Sequence, residues 1–198
     1  LSSRRQRQMC IRDSPCIVVA GSPNVGKSAL ITALSTGEPE VAAYPFTTKR
    51  LHLGHFIHRR RKYQMVDTPG LLDRPNDQRN QIEMQAIAAL ENVGDIVLFL
   101  IDPSESGGTP LQEQMSLLRE VEGLISARKI ILVHSKSDLD SEESIPGAVM
   151  VSSTKSIGLE ELREKVVHEI AADAIVDPLQ LPEGWHREDT EIKEHSLD

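Results

Sequence analysis

The sequence predicts an α/β fold, a mostly parallel six-stranded sheet with helices on both faces. Short apolar runs rich in Val, Ile and Leu alternate along the 198 residues with segments whose apolar positions recur at helical spacing. This order is typical of strands joined by crossover helices, which produce a parallel sheet. Two of the runs, residues 16–20 and 96–101, are apolar throughout, as expected for strands buried on both faces.

Six segments are the predicted strands. They comprise residues 16–20, 51–57, 63–66, 95–101, 129–133 and 148–151. The second and third are separated only by the charged stretch 58–62, so we expect them to form a hairpin with a basic tip. This tip has two open interpretations, contact with nucleic-acid phosphates or a charged hairpin end that keeps the domain soluble.

Four helices are predicted between or after these strands. They comprise about residues 27–34, 77–93, 110–125 and 159–170. Thr109 followed by Pro110 is typical of an N-cap and first-turn pair, so we expect the third helix to begin there.

Composition limits the classes of function. The net charge of -8 disfavours general nucleic-acid affinity, and no apolar run approaches the roughly 18 residues of a membrane span. Two cysteines favour a reducing compartment, so a cytoplasmic location is expected. We expect residues 1–14 to be a disordered or non-native basic arm, residues 15–176 the single domain, and residues 177–198 an acidic tail.

A phosphate-binding loop follows the first strand. Residues 21–28 match Gly-x-x-x-x-Gly-Lys-Ser in the strand-loop-helix context that this motif requires. We expect Lys27 to contact the β- and γ-phosphates and the Ser28 hydroxyl to ligate Mg²⁺. The predicted nucleotide contacts in this loop are Ser22, Pro23, Asn24, Val25, Gly26, Lys27, Ser28 and Ala29.

Two further segments are candidates for the γ-phosphate side. Asp67 ends the third strand within Asp-Thr-Pro-Gly, where a carboxylate can hold Mg²⁺ through water and the Gly70 N–H can meet a γ-phosphate. An ordinary turn is the alternative for this segment. Thr48, in Tyr-Pro-Phe-Thr-Thr, is a candidate ligand of Mg²⁺ and γ-phosphate, unless the two threonines merely enter a strand.

The base-recognition candidates follow the last two strands. Asp138 can accept hydrogen bonds from guanine N1–H and the exocyclic amine, a donor pair that adenine lacks. Lys136 completes an Asn-Lys-x-Asp pattern from which Ser135 departs, leaving one purine contact in doubt. Ser152, Ser153 and Thr154 fit a final segment whose backbone meets guanine O6, or else form a polar loop that caps a helix.

This ordered set of motifs resembles the translation-factor-related GTPases of the Obg/Nog group. Residues 40–49, 67–75 and 101–105 look like those of the nucleolar GTP-binding protein (Nog) family, in an archaeal-looking version. The resemblance covers about residues 15–170, the GTPase domain only. It implies a P-loop GTPase fold, GTP or GDP with Mg²⁺ as cofactors, and a pre-ribosomal large subunit or rRNA as partner. A monomer without membrane contact is expected, nucleolar if the source is eukaryotic.

The resemblance also suggests how hydrolysis proceeds. Lys27, Thr48 and Gly70 are the expected catalytic groups, but Leu71 stands where Ras-like switches have a Gln that orients water, so slow hydrolysis is expected. Asn24 matches the position that holds K⁺ in relatives, although it can equally serve only to brace the loop. A GTP-binding scaffold without useful turnover and an ATP-dependent P-loop enzyme remain alternatives, the second disfavoured by Asp138.

Overall fold

In the computed structural model, which describes residues 14–43, 50–67, 94–125, 128–141 and 143–176, seven strands form one sheet. The strands are β1 (Cys16–Ala20), β2 (Glu40–Ala43), β3 (Arg50–His58), β4 (Arg61–Asp67), β5 (Ile96–Ile101), β6 (Lys129–His134) and β7 (Val149–Met150). The described helices are α1 (Lys27–Leu34), α2 (Leu111–Leu124) and α3 (Leu159–Val176). The sheet order is β2-β3-β4-β1-β5-β6-β7.

The sheet is parallel through its centre and antiparallel at one edge. Strand β1 pairs in parallel with β4 and β5, and β6 and β7 continue the parallel order. The hairpin of β3 and β4 is antiparallel, as is the pairing of β2 with β3. All six predicted strands are therefore confirmed. Strand β2 was not predicted and adds a seventh at the edge beyond the hairpin.

The central strand β1 divides two apolar cores. Ile17 and Val19 pack into the core that contains Leu30 of α1 and Val166 of α3. Val18 packs on the opposite face of the sheet, in a core built with side chains of α2. Because successive side chains of a strand point to opposite faces, a continuous apolar run can serve both cores. The predicted arrangement of helices on both faces is confirmed by these contacts.

Helix α2 begins differently from the prediction. Its first helical residue is Leu111 with Pro110 at the cap position, and no side chain of the cap residue bonds the helix, so the expected N-cap role of Thr109 was wrong. Instead, the Glu105 carboxylate accepts a hydrogen bond from the Leu111 N–H at 2.6 Å. Glu105 therefore satisfies one of the unpaired amides of the first turn, a task that its position six residues upstream did not reveal.

The predicted basic tip joins β3 and β4. Arg59 and Arg60 form its turn with φ values of 46° and 67°, between the paired residues His58 and Arg61. Two-residue hairpin turns with positive φ at both positions usually contain Asn or Gly, because side chains such as arginine are strained there. The backbone of this turn is therefore strained, and its two arginine side chains are exposed.

Several predicted elements cannot be compared with the structure. The helix expected at residues 77–93 lies outside the described residues, as do the acidic tail and nearly all of the basic arm. None of the described helices is long and apolar enough to cross a bilayer.

Candidate nucleotide-binding site

Two glycines shape the loop between β1 and α1. Gly21 has φ 133°, and a Cβ there would lie 2.5 Å from the Leu100 carbonyl oxygen of β5. Gly26 has φ 104° and occupies the N-cap position of α1 in the left-handed region. A residue with a side chain would be strained at both positions. The loop therefore starts in direct contact with the neighbouring strand and ends at the positive end of α1, an arrangement that binds phosphate groups in many proteins.

Lys27 is held within this loop. Its Nζ donates to the carbonyl oxygens of Gly21 and Ser22, each at 2.8 Å, and the side chain is buried. A buried ammonium is stable only where hydrogen bonds replace its water. The two carbonyls therefore hold a positive charge beside the first turn of α1. An anion bound there would be stabilised by the ammonium and by the positive end of the helix.

Ser28 and Asp67 meet across the site. The Ser28 hydroxyl donates to Asp67 Oδ2 at 2.5 Å, which joins α1 to the end of β4. Asp67 is 1% exposed, and among the described residues its Oδ1 has no hydrogen-bond partner. His52 Nδ1 lies 3.7 Å from Oδ2, since His52 pairs with Asp67 across the hairpin. A buried carboxylate oxygen without a partner beside a serine hydroxyl fits a hard cation such as Mg²⁺, which takes oxygen ligands.

Within the described ranges, no three His, Cys, Asp or Glu side chains come together as a metal cage. Mg²⁺ is usually bound by one or two protein oxygens together with phosphate oxygens and waters. Ser28 and Asp67 therefore supply as many protein oxygens as a nucleotide-bound Mg²⁺ usually has.

At the other end of the site, the loop after β6 is anchored to β5. The Ser135 N–H and hydroxyl both donate to the Ile101 carbonyl oxygen, at 2.8 and 3.0 Å. Lys136 adopts the left-handed region with φ 54°, and its Nζ donates to Asp102 Oδ2 at 2.7 Å and to Ser106 Oγ at 2.9 Å. The serine that replaces the expected Asn thus braces the loop through the backbone of β5.

Asp102 was not among the predicted site residues. Its carboxylate accepts five hydrogen bonds, from the Ser104 N–H and hydroxyl, the Ser106 hydroxyl, the Gly107 N–H and the Lys136 ammonium. Burial tends to raise the pKa of this carboxyl, but the hydrogen bonds from Lys136 and the serines outweigh it and the pKa is lowered. An acid directly after a buried parallel strand was the signal that could have identified it.

Asp138 and the last predicted segment lie together. The Thr154 hydroxyl donates to Asp138 Oδ2 at 3.4 Å, and the hydroxyls of Ser152 and Thr154 are 3.1 Å apart. The pKa of the Asp138 carboxyl is lowered, first by a hydrogen bond from Ser152, which keeps this exposed group ionised and able to accept hydrogen bonds.

A groove of about 410 Å³, open to solvent, lies between α1 and the loop that contains Ser153 and Thr154. It is lined by Ser28, Ala29, Thr32, Ala33, Ser153 and Thr154. This volume lies within the roughly 300–1,000 Å³ of ordinary ligand pockets. The helix after the phosphate loop and the segment expected to meet guanine therefore share one concave surface.

The other loop residues have distinct surroundings. Pro23, Asn24 and Ala29 are exposed, whereas Val25 is buried in the apolar core. The Asn24 amide nitrogen donates to the Gly107 carbonyl oxygen at 3.5 Å. The predicted catalytic residues Thr48 and Gly70 lie outside the described residues, as does Leu71.

Comparison with known proteins identifies the family. A family model described as 50S ribosome-binding GTPase matches residues 16–136, which include the phosphate loop, Asp67 and Lys136. This chain belongs to that GTPase family. The resemblance seen in the motifs is thereby confirmed, and with it the P-loop GTPase fold.

Relatives of this GTPase domain include nucleolar proteins. An uncharacterized protein of Methanocaldococcus jannaschii is 46% identical over 134 residues, 68% of this chain and 37% of that protein. Nucleolar GTP-binding protein 1 of Encephalitozoon cuniculi is 45% identical over 123 residues, 62% of this chain and 23% of that protein. The chain therefore spans well under half the length of these relatives, and the similarity concerns the GTPase domain.

Solved structures agree with the fold of this GTPase. A Plasmodium falciparum structure described as nucleolar GTP-binding protein 1 is similar with a TM-score of 0.73 and 30% identity, covering 84% of this chain and 91% of that one. The G domain of the T. maritima FeoB iron transporter is similar with a TM-score of 0.61 and 27% identity, over 79% of this chain and 98% of that one.

Proposed function

We propose that this GTPase binds GTP with Mg²⁺, hydrolyses it slowly to GDP and phosphate, and acts as a switch on a precursor of the large ribosomal subunit. The observation that carries the nucleotide chemistry is the contact of Ser28 with Asp67 at the phosphate loop, with one Asp67 oxygen left without a partner among the described residues. The domain performing it comprises residues 15–176, between a basic arm and an acidic tail.

On the phosphate side, the proposed roles follow from charge and hydrogen bonding. Lys27, which the Gly21 and Ser22 carbonyls hold in place, contacts the β- and γ-phosphates. The loop N–H groups of residues 22, 24, 25, 26 and 29 cradle the remaining oxygens, whereas Pro23, which has no N–H, only lines the loop. Ser28 and Thr48 would hold Mg²⁺, with Asp67 acting through water, and the ion would neutralise the charge that develops on the phosphate. The Gly70 N–H orients the γ-phosphate.

On the base side, Asp138 selects guanine. Its ionised carboxylate accepts from N1–H and the exocyclic amine, which disfavours the alternative of an ATP-dependent enzyme. Lys136 and Ser135 support the base, and the backbone of residues 152–154 meets its O6. Calorimetry that gave tighter binding of ATP than of GTP would overturn this assignment.

Slow turnover follows from Leu71, which can neither accept a hydrogen bond from water nor orient it. Asn24 is proposed to ligate K⁺ through its amide oxygen while its amide nitrogen bonds Gly107, so that K⁺ compensates in part for the missing water-orienting group. Bracing of the loop alone is the competing role. If Asn24→Ala does not remove a difference between K⁺ and Na⁺, bracing is its role.

The test of hydrolysis is single-turnover cleavage of GTP by purified protein in K⁺ and in Na⁺. We expect phosphate release faster than from free GTP, and faster in K⁺ than in Na⁺. Release no faster than from free GTP would instead support a GTP-binding scaffold without useful turnover.

The proposed partner is rRNA within the precursor particle, by analogy with relatives named as nucleolar. Residues 59–62 add four exposed cations at the hairpin tip of a chain whose net charge is -8. A local cationic tip can contact phosphates in an otherwise acidic protein. The protein would act in the cytoplasm, or in the nucleolus of a eukaryote, as a monomer.

Cosedimentation with ribosomal subunits, in GTP and in GDP, tests this partner separately from the nucleotide chemistry. We expect more protein with the large subunit in GTP, and several-fold less after Arg60→Glu. Arg119→Glu on α2 makes the same charge change at another exposed site and is expected to have little effect. Equal loss with both variants, or binding independent of the nucleotide, would contradict the proposal.

A further inference from the structure

One segment of the molecule contacts both ends of the candidate site. Residues 102–108, which we call the Asp102 loop, connect β5 to α2. The loop is fixed by Gln114 of α2, whose buried side-chain amide accepts from the Asp102 N–H at 2.8 Å and donates to the Asp102 carbonyl oxygen at 2.9 Å. The start of the loop is therefore held by the sheet and by a helix.

At the base end, the loop determines where the Lys136 ammonium lies. Asp102 Oδ2 is 2.7 Å from Lys136 Nζ, and the Ser106 hydroxyl is 2.9 Å from it. The backbone of Lys136 is in the left-handed region, and its neighbour Ser135 is bonded to Ile101, the residue before Asp102. Ser135 and Lys136, three and two positions before the proposed guanine-recognition carboxylate, are therefore both held by the end of β5.

At the phosphate end, the same loop touches Asn24. The Gly107 N–H donates to Asp102 Oδ2 at 3.2 Å, so one carboxylate oxygen holds both Gly107 and Lys136. A Cβ on Gly107 would lie 3.0 Å from the Asn24 carbonyl oxygen. The two backbones are therefore in close contact, and a side chain at position 107 would require a shift of a few tenths of an ångström.

A bracing role alone would not require a charge here. Asp102 is 1% exposed, and a buried carboxylate loses its hydration energy unless its partners compensate for it. A neutral side chain could brace the loop without that cost, whereas only an anion holds an ammonium strongly.

We propose that Asp102 is a positioning residue for nucleotide binding, which fixes Lys136 beside the base and links it through Gly107 to the phosphate loop. The inference rests on the proposed function, because it assumes that guanine nucleotide binds beside Lys136. Asp102 itself does not touch the nucleotide.

A double-mutant cycle on GDP affinity tests the action through Lys136. We expect Asp102→Asn to weaken GDP binding about tenfold, the size of a lost charge-assisted hydrogen bond. In a Lys136→Met background the same change is expected to weaken binding less than about twofold, since the contact is already absent. The exposed pair of Lys129 and Glu169 is the matched control, and Glu169→Gln should leave GDP affinity unchanged.

The link to the phosphate loop is tested by glycine substitutions. Gly107→Ala crowds Asn24 and is expected to weaken GDP binding several-fold, while Gly123→Ala on α2, where a Cβ meets nothing within 4 Å, should not. Both variants avoid the buried charge, so they remain informative even if Asp102→Asn folds poorly.

Three results would overturn the positioning role. They are unchanged GDP affinity in Asp102→Asn, equal weakening with and without Lys136→Met, and equal affinity of the Gly107 and Gly123 variants. In each case, binding of GDP by the unsubstituted protein would leave the proposed nucleotide binding intact, so that only the positioning role fails. If the unsubstituted protein bound no GDP, both proposals would fail together.

Discussion

The phosphate end and the base end of the candidate site are built in different ways. At the phosphate end, Lys27 is satisfied by backbone carbonyls, and Asp67 keeps a buried oxygen without a partner among the described residues. At the base end, Asp102 accepts five hydrogen bonds, and Lys136 has two partners. The buried carboxylate at the phosphate end therefore keeps an oxygen for a ligand, whereas the buried carboxylate at the base end bonds other groups of the protein.

The difference indicates what each end requires from a ligand. Groups at the phosphate end gain hydrogen bonds and ion pairs when phosphate and cation arrive, so most of the binding energy should arise there. The buried groups at the base end are already bonded to one another, so we expect less entropy to be lost there on binding and better discrimination between bases. Substitutions at the two ends should accordingly affect affinity and specificity to different extents.

The largest effect is expected for Lys27→Ala. The change removes the buried ammonium beside the first turn of α1, and we expect GTP and GDP binding to fall below detection by calorimetry. The thermal unfolding temperature of the variant should be measured alongside as a check on folding. Retained nucleotide affinity would mean that the loop does not bind phosphate.

Asp67→Asn is expected to have the second largest effect. GTP affinity is measured by titration with and without Mg²⁺. Because the carboxylate charge is lost, we expect the increase in GTP affinity caused by Mg²⁺ to be smaller by about tenfold or more in the variant. Asp95→Asn is the control, since the exposed Asp95 carboxylate accepts a hydrogen bond from the Cys16 N–H at 2.7 Å but lies outside the site. An equal loss of the Mg²⁺ effect in both variants would contradict a metal role for Asp67.

At the base end, Asp138→Asn should change which purine base the protein prefers and have little effect on its stability. An amide presents both a donor and an acceptor, so guanine loses a complementary partner while xanthine, which has a carbonyl in place of the amine, gains one. We expect GDP affinity to fall about tenfold and the preference to shift toward xanthosine diphosphate. Parallel loss of both nucleotides would indicate that Asp138 supports the loop and does not read the base.

The smallest effect is expected beneath the base end, at His134. Burial lowers the pKa of this histidine below 6.5, opposed only in part by Asp102, so the unfolded chain takes up a proton more readily than the folded one. The contribution of neutral His134 to the free energy of unfolding is therefore fully present above about pH 6.5 and decreases as the pH falls below that value.

Urea unfolding at pH 7.5 and pH 5.5 measures this contribution. We expect His134→Gln to reduce the loss of unfolding free energy between the two pH values. The carboxyl of Asp102, whose pKa is lowered from 3.8, stays ionised throughout this range and does not confuse the comparison. An unchanged pH dependence would show that other groups account for it.

The sequence predicted the elements whose signals are local. Strand β1, helix α1 and strand β5 follow from continuous apolar runs and from a motif that itself requires a strand, a loop and a helix. Strand β2 was missed because its four residues, Glu40–Ala43, show no alternation, and what defines the strand is its pairing with β3. Tertiary pairing determines such short edge strands, and propensity does not.

Predicting the site was limited in the same way. Ser28 and Asp67 were predicted because each belongs to a motif with a known chemical role, and the structure brings them into contact. Asp102 escaped notice because its partner Lys136 is 34 residues away. Glu105 was overlooked as a helix cap because its bond to Leu111 spans more residues than a usual capping motif.

The contact of Gly21 with Leu100 has a consequence for anyone who engineers this domain. Glycine at position 21 leaves no space between the start of the phosphate loop and the backbone of β5, and β5 ends one residue before Asp102. Strand β5 therefore fixes the distance between the phosphate loop and the proposed base-recognition loop. For the proposed site, we therefore expect that transfer of the base-recognition loop alone into another scaffold would not transfer base specificity, because the distance to the phosphate loop would differ.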